Sequence, residues 1–164
     1  MTEVTTWYLE QLRSDTVLPV DNPGGLRIEE ARVPQFQFNR FLYQLVGGKW
    51  AWTDKLSWSE EQWRDYAERD TLRTWAAWRD GSPAGYFELE RESGGRVEIN
   101  YFGLAGKFIG RGFGGWLLSQ AIENAWSWQA SRVIVNTCSL DHPSALANYQ
   151  ARGMTLYRTE QESG

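Results

Sequence analysis

Four glycines and one arginine crowd into Phe108-Ile109-Gly110-Arg111-Gly112-Phe113-Gly114-Gly115, and the chain then enters the apolar run Trp116-Leu117-Leu118. A glycine-rich turn that opens a helix gathers unpaired N–H groups and the positive end of the helix dipole at one point, which suits an anion. Glycine also brings the main chain within hydrogen-bonding distance of a phosphate with no Cβ in the way. The segment lacks the Lys-Ser/Thr of a P-loop, and a dinucleotide fingerprint belongs near the start of its domain. A pyrophosphate of another kind fits the pattern, and so does a tight turn that serves only close helix packing.

The chain around this segment has 164 residues, the size of one ordinary domain with a single sizeable core. Seventeen basic against twenty-one acidic side chains leave a net charge of -4, which argues against nucleic acid as a partner. Cys138, the one cysteine, can form no internal disulfide. No stretch has the length of a membrane span or the layout of a signal peptide, so the expected location is cytoplasmic, with no membrane partner. One histidine and one cysteine make a poor metal site, and no metal is expected. Ten tryptophans are the unusual feature; aromatics this dense fill cores or line pockets.

The elements that position the glycines follow from pattern. Residues 4–13 partly alternate as a first strand, a Pro/Gly/Asp-rich connection ends it, and 26–33 read as a second strand. Phe38, Phe41, Leu42 and Leu45 recur at helical spacing before Gly47-Gly48, and a second helix starts at a capping box of Ser57 and Glu60. Three strands joined at Asp80-Gly81 and Gly94-Gly95 form an antiparallel meander. The helix from Gly112 to about Trp128 has a wide apolar face and a polar stripe of Ser119, Gln120, Glu123, Asn124 and Ser127. The run 132–140 reads as a buried parallel strand, 142–153 as a helix and 154–160 as a last strand. This order predicts an α+β fold of three layers, α/β/α, with a mixed, mostly antiparallel sheet and about four helices.

The order and the residues together resemble the GNAT superfamily of N-acetyltransferases. Its pyrophosphate signature, Gln/Arg-x-x-Gly-x-Gly/Ala, is met by Gly112 and Gly114, with Ile109 where Gln or Arg is usual. A second motif, Asn-x-x-Ala-x-x-x-Tyr-x-x-x-Gly-Phe, is met by Ala145, Tyr149 and Gly153, with His142 and Met154 replacing Asn and Phe. The likeness covers roughly residues 26–157, leaves the first strand outside, and implies one domain over 1–164 with 1–25 as an extra strand and connection. It implies acetyl-CoA as co-substrate and a primary amine of a small molecule or amino acid as acceptor. Homodimers are common in the family, and exposed tryptophans would permit one. The opposing expectation is a non-catalytic acyl-CoA-binding sensor or partner protein; a tryptophan-based sugar or nucleobase module is a third.

Amide formation from a thioester needs a neutral amine, a stabilised oxyanion and a protonated leaving thiol. A strict period of two places Glu98, Asn100, Phe102 and Leu104 on one face of their strand. The resemblance puts Leu104 beside the thioester, so Glu98 becomes the candidate base, against the reading of a solvated strand carboxylate. Tyr149 matches the family's proton donor to the thiolate, or else packs in the core with Ala145 and Leu146. Backbone N–H groups at Phe102, Gly103 and Leu104 would polarise the carbonyl. Cofactor contacts are expected from Ile109, Gly110, Arg111, Gly112, Phe113, Gly114 and Gly115. His142 is expected as a helix N-cap touching the cofactor rather than a catalyst, and Asn136 as a pantetheine or substrate contact or a satisfied strand residue. Cys138 reads as a small apolar residue. Trp50, Trp52 and Trp58, with Trp63, line an acceptor pocket beside Asn100 or pack a lid and core.

Overall fold

The computed structural model describes residues 3–50 and 52–163. Its elements are Glu3–Gln11 (β1), Arg27–Glu30 (β2), Phe36–Gly47 (α1), Glu60–Ala67 (α2), Leu72–Arg79 (β3) and Ser82–Arg91 (β4). They continue with Arg96–Leu104 (β5), Phe113–Ser127 (α3), Arg132–Cys138 (β6), Ala145–Ala151 (α4) and Thr155–Ser163 (β7). The strands form one sheet in the order β2-β3-β4-β5-β6-β1-β7. Every pairing is antiparallel except that of β5 with β6. The expected α+β layering and mixed sheet are present.

The meander forms where the turn chemistry places it. Asp80 and Gly81 take φ of 50° and 82°, and Gly94 and Gly95 take 86° and 85°. Two successive left-handed residues match the twist of the flanking strands, which is why glycine is needed there. β1 is an interior strand, held between β6 and β7, and its Leu9 faces Val135 on one side and Leu156 on the other. A segment lying outside the family likeness therefore joins two strands of the sheet that otherwise do not touch.

Two layers of side chains sandwich the sheet. On one face α3 lays Phe113, Leu117, Leu118, Ile122 and Ala125 over Phe87, Leu89, Val97, Ile99, Val133 and Val135. On the other, α1 and α2 bring Phe36, Leu42, Tyr43, Val46, Trp63 and Tyr66 over Leu72, Ala76 and Tyr86. Each large apolar side chain removed from water contributes about 1.5–3 kcal/mol before entropy is counted.

Four local expectations are corrected. In α1 the inner stripe is Phe36, Asn39, Leu42, Tyr43 and Val46, while Phe41 and Leu45 are 46% and 36% exposed. Polar Asn39 belongs to the core because it bonds Thr74 and Glu88, so counting apolar residues picks the wrong face. The capping box is Ser59 with Gln62, one turn boundary beyond Ser57. Ser119 is buried, accepting from the Val20 amide at 2.9 Å and donating to the Gly115 carbonyl at 2.8 Å, so it pins the first connection to α3. The α4 N-cap is Ser144; His142 lies two residues earlier and its Nδ1 accepts from the Ser144 amide at 2.9 Å.

Because β1 completes the sheet from inside, Leu9→Ala should cost about 3 kcal/mol in urea denaturation through the cavity it leaves. Leu12→Ala, at a residue 61% exposed just past the strand, should change stability by less than about 0.5 kcal/mol.

Candidate functional site

β5 and β6 pair only over Arg96–Glu98 and Arg132–Ile134. Past that point β4 holds β5 as far as Leu104, while β1 holds β6 as far as Cys138. Pulled to opposite sides, the two strands part, and a cleft of about 980 Å³ opens between them. Such a volume lies at the upper end for ligand sites. Its walls are Asn100 to Leu104 from β5, Val135 to Cys138 from β6, the turn into α3 and the inner side of α4. Backbone groups on the facing strand edges have no strand partner there, so an extended ligand can pair with them.

The glycine segment lies at the mouth of this cleft. Gly110 and Gly112 take φ of 83° and 82°, in the left-handed region where other L-residues are strained. Ile109, Gly110, Gly112, Phe113, Gly114 and Gly115 all line the cleft. No side chain caps α3, and no turn bond is donated by amides 110–115 among the described residues. Asn148 of α4 donates to the Gly114 carbonyl at 3.2 Å, fixing the turn against that helix. Arg152 adds charge: its Nε is buried without a partner, and a Cβ on Gly115 would come within 3.1 Å of its Nη1. Free amides and a helix dipole form a donor set that fits a diphosphate, with Arg152 behind the turn and outside the cleft lining. Arg111 is not part of the lining; its guanidinium stands 5.6 Å from the Phe108 ring centroid.

On β5 the structure divides residues expected on one face. The register with β4 shifts between Glu88 and Leu89, which oppose Tyr101 and Ile99, so Asn100 is the extra residue of a bulge. Phe102 and Leu104 pack with Val97 and Ile99 on the α3 side. Asn100 instead donates to the Tyr66 hydroxyl at 3.2 Å, on the α2 side. Glu98 therefore does not share a face with Phe102 and Leu104. It is half-buried outside the cleft lining, opposite Glu90. Burial, then the charge and hydrogen bond of Glu92, raise its carboxyl to about 7, with Arg96 opposing.

The opposite wall carries the other expected residues. Asn136 is exposed into the cleft. Tyr149 is buried apart from its share of the lining, and burial followed by the Asp141 charge raises its phenol. Its ring meets Phe102 edge-on at 6.2 Å between centroids, so it packs against β5 as well as facing the ligand space. Cys138 lines the cleft half-buried, its thiol pushed up by burial. His142 lines it too, edge-on to Trp50 at 5.2 Å.

The tryptophans split. Trp50 and Trp52 line the cleft, and Trp52 Nε1 donates to Asp141 at 3.3 Å. Trp58 packs against Trp63 and Tyr66 in the second core cluster, away from the lining. Asp54, whose sequence context reads as a solvated helix face, lines the cleft, and three residues escaped notice in the sequence: Asp141 and Asn148 on the lining and Arg152 behind the glycine turn. Asp141 accepts from the Thr137 hydroxyl at 2.6 Å and the Cys138 amide at 3.0 Å, which closes the end of β6. An aspartate just past the β-branched run, where the Asp141 amide donates to the Cys138 carbonyl at 3.0 Å to close a turn, was the available signal for it. Arg152, directly before Gly153, had none.

Residues 28–154 match the family model described as Acetyltransferase (GNAT) family. Among solved structures, IAA acetyltransferase from Bacillus cereus ATCC 14579 is similar at 27% identity and a TM-score of 0.58, over 76% of this chain and 73% of that one. A GCN5-related N-acetyltransferase from Sphaerobacter thermophilus shares the fold at a TM-score of 0.72 and 16% identity, over 95% and 49%. An aminoglycoside acetyltransferase from an uncultured soil sample does so at 0.63 and 14%, over 78% and 87%. The chain spans 60% of a conserved protein from Staphylococcus epidermidis and 55% of a GCN5-related N-acetyltransferase from Kribbella flavida. No curated protein matches by sequence. Among the described residues no helix is long and apolar enough to cross a membrane.

Glu98 gives a pH signature independent of any ligand. Its folded carboxyl, at about 7, holds a proton that the unfolded chain releases near 4.5, so its contribution is complete at low pH and is lost as pH rises between these values. Glu98→Gln should flatten that decline in urea midpoints and exceed the native protein in stability above pH 7, with little difference below 4.5.

Proposed function

The chain belongs to the GNAT acetyltransferase family, and on that premise we propose that it is an acetyl-CoA-dependent N-acetyltransferase acting directly on a primary amine of a small molecule or amino acid. The observation that carries this reading is the uncapped start of α3, whose free amides meet the mouth of a cleft of the right size. Gly110, Gly112, Gly114 and Gly115 would hold the diphosphate, and the unpaired edges of β5 and β6 would hold the pantetheine arm. Acetyl-CoA supplies an activated thioester, and both substrates bind together before the acetyl group moves.

The chain's own groups then divide three tasks. The amine nitrogen adds to the thioester carbonyl carbon, the carbonyl π pair moves to oxygen, and the resulting oxyanion collapses to break the carbon–sulfur bond and release thiolate. Backbone amides of Phe102 and Leu104, which alternate away from β4, steady the oxyanion in a site partly shielded from water. Tyr149, a phenol that is protonated at neutral pH and lines the cleft, gives its proton to the departing thiolate, with burial making it a weaker acid than a free phenol. Glu98 has the acidity of a base but no place in the lining, so it takes the amine's proton through water along the Asn100 flank. Asp54, an exposed carboxylate on the lining, draws cationic acceptors toward the opening.

Calorimetric titration of CoA tests the cradle. The native protein should bind it, and Gly112→Ala should weaken binding by about tenfold or more, because a Cβ in the left-handed region costs roughly 1–2 kcal/mol. Absence of binding by the native protein would remove the transferase reading altogether.

Two variants separate the proton steps. Tyr149→Phe should lower kcat by about a hundredfold with CoA affinity kept. The native kcat/KM should rise with pH through about 7 as Glu98 ionises, and Glu98→Gln should lack that rise. An unchanged profile in that variant excludes Glu98 from the chemistry.

A further inference from the structure

The aromatic layer contains a positive charge in a seat built of rings. Lys55 Nζ stands 4.5 Å from the ring centroid of Trp58, 4.8 Å from that of Tyr66 and 4.9 Å from that of Tyr101. It also donates to the Tyr101 hydroxyl at 2.8 Å. Among the described residues it forms no salt bridge. Behind the rings Glu88 is 1% exposed, accepting from the Tyr66 hydroxyl at 2.5 Å and from Asn39 at 2.7 Å, and its charge favours the ammonium. Converging ring faces, one phenol acceptor and a distant buried carboxylate are the elements that recognise an alkylammonium.

The lysine that fills the seat rides on a light loop. Thr53, Asp54, Leu56 and Ser57 are exposed. Among the described residues, the side-chain hydrogen bonds that tie 53–57 to the body come from Lys55, through its Nζ and through its amide, which donates to the Tyr43 hydroxyl at 3.2 Å. Burial works against the Lys55 charge, so the occupant is held less firmly than the rings alone would suggest. The seat also shares walls with the cleft. Tyr101 and Asn100 line the cleft, and so does Asp54, the neighbour of Lys55 in sequence.

We propose that this ring-lined seat is a binding site for an alkylammonium group of the acceptor, and that Lys55 fills it as an internal stand-in until the acceptor displaces it and residues 53–57 lift. Two of the three rings, Trp58 and Tyr66, lie outside the cleft lining, so a group held among them is set back from the thioester and is not the nucleophile. The acceptor class is therefore a diamine, one nitrogen held as ammonium in the seat and the other free to meet the thioester. The seat stands on its own geometry, and its purpose rests on the transferase reading.

Calorimetry without cofactor tests the seat. Lys55→Ala should bind propylammonium chloride saturably, the native protein about tenfold more weakly, and neither should bind propanol. Equal affinity in the two proteins, or no preference for ammonium over propanol, overturns the seat. Lys55→Gln, which keeps the side chain's length and loses its charge, should fall between them and serves if the alanine variant does not fold. Kinetics test the purpose: Lys55→Ala should raise kcat/KM several-fold for diaminobutane or diaminopentane and leave kcat/KM for butylamine unchanged, because butylamine held in the seat by its one nitrogen is bound unproductively. A diamine kcat/KM that is unchanged or lowered, or one that moves together with that of butylamine, overturns the diamine assignment. Failure of the first titration leaves acetyl transfer standing, whereas failure of CoA to bind the native protein removes the transferase and leaves the seat.

Discussion

Two parallel strands that begin as partners and then separate determine where everything else in this molecule must lie. A backbone N–H or C=O left without a partner inside a protein is costly, so neighbouring strands ordinarily stay paired along their length. β5 and β6 part after three register positions because each is fully engaged on its other edge, by β4 and by β1. The cleft is thus a property of the whole sheet. It also explains why an extra N-terminal strand matters to a site it barely touches: β1 holds β6 from Thr6 to Gln11 along the wall opposite β5.

The same parting requires a stiff wall on the β5 side, and the aromatic layer supplies it. Glu88 is fully enclosed, which raises its carboxyl through burial despite the hydrogen bonds from Tyr66 and Asn39. A buried carboxyl with satisfied oxygens demands exact placement of its donors, so Asn39 of α1, Tyr66 of α2 and Thr74 of β3 are tied to one point. Asn100 joins the cluster through Tyr66, and the bulge that carries it is what turns Tyr101 toward Trp52 and Lys55. The density of phenols and indoles follows: they fill volume as apolar groups do and still bring a donor to a polar centre.

Much of this was legible in the sequence, and the exceptions share a cause. Turns at Asp80-Gly81 and Gly94-Gly95, the glycine entry to α3 and the parallel strand after it follow from local rules, which depend only on nearby residues. Asn39 in the core, Ser119 under the first connection and the bulge at Asn100 depend on partners distant in sequence, and no local period announces them. The site divides the same way. Its glycine-rich end is local and readable; on β5 a strict alternation of two fails at the bulge, so Glu98 falls on the other face from Leu104. Trp58 was counted with Trp50 and Trp52 by proximity in sequence, although the chain between them turns it into the core.

The smallest helix shows how the two ends of the cleft are kept in step. α4 has seven residues, too few to be stable alone, so its position is set by what it touches. Asn148 binds the Gly114 carbonyl, and Tyr149, the next residue, meets Phe102 on β5. Past the end of the helix Arg152 reaches toward Gly115, and Gly153 takes φ of 99° where a Cβ would strike the Thr16 carbonyl. One short element thereby fixes the glycine-rich turn, the parted strand and the first connection relative to each other. A ligand spanning the cleft would meet a phenol at one end and free amides at the other whose separation cannot drift, because consecutive side chains of a single helix turn hold both.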